Sequence, residues 1–412
     1  MQHHLTHSHV SETFVAARRS LRVAMVTESY PPEVNGVAQT VRRLVEGLRA
    51  RNHGVQLVRP RQARFDTANT HDTPDEVLTA GMPIPMYGSL RLGLPCKSRL
   101  MRIWTKHRPD VVHIATEGPL GWSALQAALA LKLPVCSDFR TNFQAYSRFY
   151  GAAWLQRPIL AYLRYFHNCC HFTMVPTEAL RQQLATDGFS PLAVVARGVD
   201  TQLFAPCKRN DPLRTSWGLG AGEVAVLHVG RLAAEKNLDV LVQAFEHIRV
   251  RQPLARLVVV GDGPERAALQ GRCPDAMFTG FRTGEDLARC YASGDMFLFP
   301  SLTETFGNVT TEAMASGLPM VAFNDAAAGQ LITNGRNGLI ANKGDSGAFC
   351  RMAAELASNA ALRQRLGLQA RCKALELDWC SIVTRIEDLY EATMAKAHAA
   401  RLPRVWPQVR SV

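Results

Sequence analysis

No stretch of this chain is apolar and long enough to read as a bilayer-spanning helix. The nearest candidate, Leu120 to Leu131, falls short of the ~18–20 residues a span requires and ends at Lys132. The ten cysteines contain no Cys-x-x-Cys pair and no Cys/His cluster with zinc spacing. Their dispersal points to reduced thiols and the cytoplasm, and Cys169-Cys170 reads as a buried reduced pair. Residues 1–20 lack the order of a secretory signal, because their charges follow the small apolar piece; they read as a disordered tail. His3, His4, His7 and His9 in that tail would bind metal only adventitiously. Acidic residues are outnumbered, 35 against 47 Lys and Arg, for a net charge of +12. That balance suits an anionic partner (nucleic acid, nucleotide phosphates or anionic lipid) or merely the solvated faces of a basic protein.

What is present is enough for two domains. The chain has 412 residues, 47% hydrophobic and 20% charged. Leu21–Val26, a loop with two prolines and Gly36, a helical pattern from Val37, and VQLVRP make a strand–loop–helix–strand unit. Val37, Val41, Leu44, Val45 and Leu48 share one helix face. Residues 61–82 read as polar and irregular. Residues 91–108 are basic with Leu100, Ile103 and Trp104 interspersed; they read as a surface helix with a buried stripe, or as an interfacial helix on anionic lipid. Strands then recur through VVHIA, Pro134–Ser137, FTMVPT and AVVARGVD, as in a doubly wound sheet. Residues 21–200 form a first domain and 201–222 a linker. A second βα series fills 223–375. The segment 361–398 is expected to be helical throughout, and its part 376–398 to return to the first domain with Trp379, Val383, Ile386, Leu389 and Tyr390 on one face.

The chemistry concentrates in the second domain. HVGRLAAEKN sets Arg231 and Lys236 just beyond a strand, two cations suited to a diphosphate. VVVGDGPE punctuates a strand end with Gly261 and Gly263, which allows close backbone approach by a planar group. MFLFPSLTETFGNVTTEAMASGLPMV reads as strand, loop, helix and strand, the helix running from about Gly307 to Ser316. Its N-terminal amides and dipole favour a phosphate. Glu304 precedes that helix, and Glu312 lies ~7–8 Å further along its axis at ~1.5 Å per residue. Carboxylates so placed would repel a phosphate they touched, so they are better used as acceptors for hydroxyls on either side of it. Singly, Glu304 would read as a solvated loop residue and Glu312 as a helix-face residue; beside Arg231 and Lys236 they read as a site.

These motifs resemble the donor half of retaining glycosyltransferases of family four, which have the α/β GT-B fold: two Rossmann-like domains facing across a cleft, with a C-terminal helix crossing back. The resemblance rests on Glu304 and Glu312 with seven residues between them, GRLAAEKN, GDGP at 261–264, TGF at 279–281 and the first loop, ESYPPEVNGVAQ. It covers about residues 21–392 and is nearest in look to GDP-mannose-dependent α-mannosyltransferases, with sulfoquinovosyl- and glycolipid glucosyltransferases nearby. It implies that Arg231 and Lys236 neutralise the donor diphosphate. Glu304 would hold the transferred sugar and Glu312 the ribose. Phe306, Gly307, Asn308 and Val309 would supply amides, Gly36 a diphosphate contact, and Gly280, Phe281 and Arg282 the border of the base. Asp138, Arg140, Thr141 and Asn142 are acceptor-side candidates; Arg140 stands where many members have a histidine, and an arginine is no base at neutral pH. No Asp-x-Asp motif occurs, so no metal is implied, and no cofactor beyond the donor, GDP-mannose or a UDP-sugar. The expected acceptor is a lipid or saccharide, with peripheral contact to anionic membrane around Arg91–Arg108 and no nucleic-acid partner. The competing class is a non-catalytic nucleotide- or polyanion-binding protein, against which the complete set of Glu304, Glu312, Arg231 and Lys236 argues.

Overall fold

A computed structural model describes residues 19–33, 35–62, 75–84, 87–140 and 156–399. The tail expected at the N-terminus lies almost wholly outside them. Strands β1 (Arg22–Val26), β2 (Gly54–Pro60) and β3 (Glu76–Thr79) are followed by a small antiparallel hairpin, β4 (Gly81–Ile84) and β5 (Tyr87–Gly93). Then come β6 (Val111–Ile114), β7 (Val135–Asp138), β8 (Phe172–Val175) and β9 (Leu192–Val194). The first sheet is parallel in the order β3-β2-β1-β6-β7-β8-β9. The second uses β10 (Ala225–Val229), β11 (Arg256–Val260), β12 (Met277–Gly280), β13 (Met296–Phe299), β14 (Met320–Phe323) and β15 (Leu339–Ala341). It is parallel in the order β12-β11-β10-β13-β14-β15. The central strands are buried and mostly apolar, as sheets covered on both faces require, with His113, Asp138 and His228 among the buried polar exceptions. In each sheet the order reverses beside its first strand, between β1 and β6 and between β10 and β13, and such switch points open crevices at the strands' carboxyl ends.

The helix Gly36–Ala50 buries Val41, Leu44, Val45 and Leu48, and Val37 packs at its edge; Asn35 caps it by accepting from the Ala38 amide at 2.8 Å. Onto the same side of the first sheet comes the final helix, Trp379–Ala399, which buries Ile382, Val383, Ile386, Leu389 and Tyr390. Its Glu387 binds Arg51 at 2.7 Å and His53 at 2.9 Å, and Val383 lies so near Gly47 that a Cβ there would clash at 2.7 Å. The C-terminal helix therefore crosses back to the first domain. Two α/β domains and this returning helix make a GT-B fold.

The structure corrects three expectations. Residues 61–82 are not wholly irregular, since β3 pairs with β2 at the sheet edge; a four-residue edge strand carries too little periodicity to read. The basic segment 91–108 is part strand (to Gly93) and part helix, Lys97–Lys106, with Leu100 and Trp104 fully buried. The segment 361–398 is two helices, Ala360–Leu375 and Trp379–Ala399, because Asp378 turns the chain and accepts from the Ser381 amide at 2.6 Å. Cys169 and Cys170 are free thiols; Cys170 is buried, and burial pushes it up to about 12.

Candidate active site

The second switch point places three loops side by side. After β10, Arg231 forms an ion pair with the buried Glu235, and Lys236 forms one with Glu304 Oε1. Asn237, in the left-handed region at φ 55°, turns the chain into the helix Leu238–Arg251 and donates to Pro300 O at 3.2 Å. After β11, Gly261 and Gly263 run against the first loop. A Cβ on Gly261 would stand 1.9 Å from Gly230 O, and one on Gly263 would stand 2.3 Å from Leu232 O. This close approach is protein on protein, a use of the glycines that spacing alone does not reveal. After β13, Ser301 Oγ donates to Glu304 Oε1 at 2.8 Å, and Gly307 at φ 87° caps the helix Asn308–Ala315. Predicted as Gly307 to Ser316, that helix is one residue shorter at each end.

Glu312 lies inside the helix and accepts from Tyr291 Oη at 2.9 Å. Burial raises its carboxyl to about 7 against the opposing effect of that hydrogen bond. Beneath Lys236 and Glu304, His228 is fully buried; burial lowers it to about 4 although its Nδ1 donates to Leu298 O at 3.0 Å. It is therefore neutral, and its Nε2 has no hydrogen-bond partner among the described residues.

The first domain closes directly onto this helix mouth. A Cβ on Gly36 would stand 3.3 Å from Asn308 Nδ2. Arg197, beyond β9, bridges the two domains: it donates to Asn308 Oδ1 and to the Arg140 carbonyl, each at 3.4 Å, and lies 5.7 Å from the centre of the Phe306 ring. Asp138 and Arg140 form a buried ion pair. Burial pushes the Asp138 carboxyl up, but Arg140 and His113 override it and hold it well below the usual range.

The structure thus sets Arg231, Lys236, Gly261, Glu304, Phe306, Gly307, Asn308, Val309 and Glu312 in the loops and helix beyond the carboxyl ends of β10, β11 and β13, with Gly36 facing Asn308 and with Asp138 and Arg140 on the first domain's side. Thr141 and Asn142 lie outside the described residues. Gly280 is tied to Gly261 by a backbone bond of 2.9 Å. Phe281 and Arg282 are exposed; Arg282 lines a cavity of about 470 Å³ with Trp217, Thr279 and Arg289, and none of Arg231, Lys236, Glu304 or Glu312 lines it. Sequence reasoning missed Arg197, Tyr291 and His228. All three sit in segments that read as ordinary strand or helix, and their contacts span from 21 to 111 positions along the chain, so no local pattern marks them.

Solved structures share this architecture. Sucrose-phosphate synthase from Thermosynechococcus elongatus superposes with a TM-score of 0.74 at 20% identity, covering 92% of this chain and 100% of that one. Anabaena HepE, crystallised with UDP and glucose, does so at 0.71 and 19%, covering 90% and 100%. Residues 34–203 match the family described as Glycosyltransferase Family 4, and residues 223–359 match Glycosyl transferases group 1. A GDP-mannose-dependent alpha-mannosyltransferase from Mycobacterium tuberculosis is 36% identical over 91% of this chain and 98% of its own length. One of the same name from Corynebacterium glutamicum is 35% identical over 78% and 77%. The fold and the site define a nucleotide-sugar glycosyltransferase. Within that class the chain belongs to glycosyltransferase family 4 and is a hexosyltransferase.

Proposed function

We propose that the chain transfers mannose from GDP-mannose to a lipid or saccharide acceptor with retention at the anomeric carbon. The observation that carries this reading is that Lys236, in the same loop as Arg231, pairs with Glu304 at the mouth of the helix that carries Glu312, while Gly36 faces Asn308 of that helix across the cleft. In this reading Arg231 and Lys236 take the diphosphate, Glu304 the mannose hydroxyls and Glu312 the ribose. The bond from C1 to the phosphate oxygen breaks as the acceptor oxygen attacks from the same face, and the departing phosphate takes the acceptor proton. Cations and helix amides stabilise the leaving charge. Mannose and a guanine nucleotide are preferred because the relatives above 30% identity are GDP-mannose-dependent alpha-mannosyltransferases. A UDP-sugar glycolipid transferase is the second reading, favoured by a 29% identical sulfoquinovosyl transferase from Arabidopsis thaliana. A thermal-shift panel separates them: GDP and GDP-mannose should raise the midpoint more than UDP, UDP-glucose or UDP-sulfoquinovose. A larger shift with the uridine nucleotides would replace the first reading by the second.

The acceptor reading extends to the membrane and to a cytoplasmic location on its inner surface. Among the described residues no helix is long and apolar enough to span a bilayer. The helix Lys97–Lys106 exposes Lys97, Arg99, Arg102 and Lys106 while its Leu100 and Trp104 are buried, which suits electrostatic contact rather than insertion.

A further inference from the structure

Away from the donor machinery, four buried polar side chains form one unbroken line. Tyr390 Oη lies 2.7 Å from His113 Nδ1, and His113 Nε2 lies 2.8 Å from Asp138 Oδ2. The same Oδ2 accepts from Arg140 Nε at 2.8 Å and also from Nη2. None of the four is more than 8% exposed. The proton positions follow from the ends of the line. Arg140 is a permanent cation and Asp138 its carboxylate partner, so His113 Nε2 must carry a hydrogen. Nδ1 is the acceptor that the buried Tyr390 hydroxyl meets, and the hydroxyl donates to it. Each member is paired, so the line has one self-consistent arrangement.

Its cost argues that it is kept for a purpose. Tyr390 packs among Leu44, Val45 and Leu48, where a phenylalanine would fill the same space without burying a hydroxyl. His113 occupies the middle of β6 between Val112 and Ile114, in a strand whose other residues are apolar. The line ends at the cleft, where Arg140's carbonyl receives Arg197, which also holds Asn308 of the donor helix.

We propose that Tyr390 and His113 are positioning residues: they fix Asp138, and through it the Arg140 guanidinium, on the acceptor side of the cleft. The helix returning from the second domain thereby sets the geometry of a cation belonging to the first. The inference rests on the reading of Arg140 as an acceptor-side residue and adds the device that aims it.

A double-mutant cycle on the full chain tests it, measuring steady-state transfer to a membrane-lipid extract from GDP-mannose, or from UDP-glucose should the wild type use that instead. Tyr390→Phe should lower the turnover with acceptor about three- to tenfold, the cost of one unpaired buried acceptor, with the donor KM within about twofold of wild type. Arg140→Ala should lower it further, and adding Tyr390→Phe to Arg140→Ala should cost nothing more. His113→Gln, whose amide can still donate to Asp138, should retain more turnover than His113→Leu. If the losses from Tyr390→Phe and Arg140→Ala multiply, Tyr390 only supports the fold and the inference is overturned. It is also overturned if Tyr390→Phe is silent while Arg140→Ala is not. If Arg140→Ala is itself silent, the acceptor-side reading of Arg140 falls, and this inference falls with it. Should Tyr390→Phe melt below the assay temperature, the same cycle with His113→Gln decides between these outcomes.

Discussion

Glu304 and Lys236 are each other's ion-pair partner, and in the proposed reaction donor binding parts them. In the proposed reaction the exchange is close to balanced: the lysine turns to a phosphate and the carboxylate to sugar hydroxyls. Glu304→Gln keeps the shape and removes the charge. It should lower turnover about 100-fold or more while leaving the thermal midpoint near wild type, as removal of a charge-stabilising group at a reacting centre does. Circular dichroism melting beside a nucleoside-diphosphate release assay checks both halves. Glu312 is the residue whose protonation should be visible in stability. Its folded pKa, raised to about 7 by burial, lies above the ordinary value, so the folded state binds the proton more tightly than the unfolded chain. The penalty of ionising it is absent below the unfolded pKa, grows as pH rises and is complete above about 7. Glu312→Gln should therefore stabilise the unliganded protein at pH 8, by on the order of 1–3 kcal/mol, and hardly at all at pH 4. The same variant should bind the donor more weakly, since an amide is a poorer partner for ribose hydroxyls than a carboxylate. Denaturation curves at the two pH values would contradict the assignment if the variant gained stability equally at both.

At the scale of elements, two short pieces carry unusual weight. Gly307 starts the donor helix in the left-handed region, and a Cβ there would stand 3.4 Å from Phe299 Cε1. Gly307→Ala should cost about 1–2 kcal/mol, the usual strain for a side chain at such an angle, and should weaken binding of the donor because the amides it aims would shift. The returning helix is the other piece. Ile386, 2% exposed, packs with Leu44 and Leu48; Ile386→Ala should cost about 2–4 kcal/mol, read from urea denaturation. Elements of this kind were legible wherever a face or a cap spans several residues. The βα alternation, the helix carrying Val41 to Leu48 and the Glu304–Glu312 unit could all be read directly. The short edge strand β3 and the small hairpin could not, because strands so short carry too little periodicity, and the Asp378 break could not, because it rests on one capping side chain inside a helical pattern. The same limit applied within the site. The spacing of Arg231, Lys236, Glu304 and Glu312 is local and readable, whereas the Arg197 bridge and the Tyr390–His113–Asp138 line exist only after folding. Gly261 and Gly263 show the converse, a motif legible as a signal whose physical use, passage against Gly230 and Leu232, needed the structure.

Across the whole molecule the two domains touch at the site itself, through Gly36 and Arg197 on one side and Phe306 and Asn308 on the other. We propose that the chain between β9 and the second core lets them part and close. Val199 and, of residues 201–222, Phe204, Trp217 and Leu219 are packed in the second core, so the bending falls ahead of Val199. Small-angle scattering should give a smaller radius of gyration with GDP than without, and identical curves would count against the closure. The basic face of the first domain should bind vesicles containing anionic lipid at low salt and release them at high salt; flotation that is absent or insensitive to salt would remove the membrane proposal. In the proposed reaction Glu304, Lys236 and Arg231 serve transfer of mannose from GDP-mannose. The most direct measurement is mannosylated product and GDP formed from GDP-mannose in the presence of a membrane-lipid extract, for wild type and Glu304→Gln side by side. The wild type should form GDP and an α-linked mannosylated product in equal amounts, and the variant about a hundredth of that or less. Equal rates from the two proteins, or no transfer from GDP-mannose while a UDP-sugar is used, would contradict it.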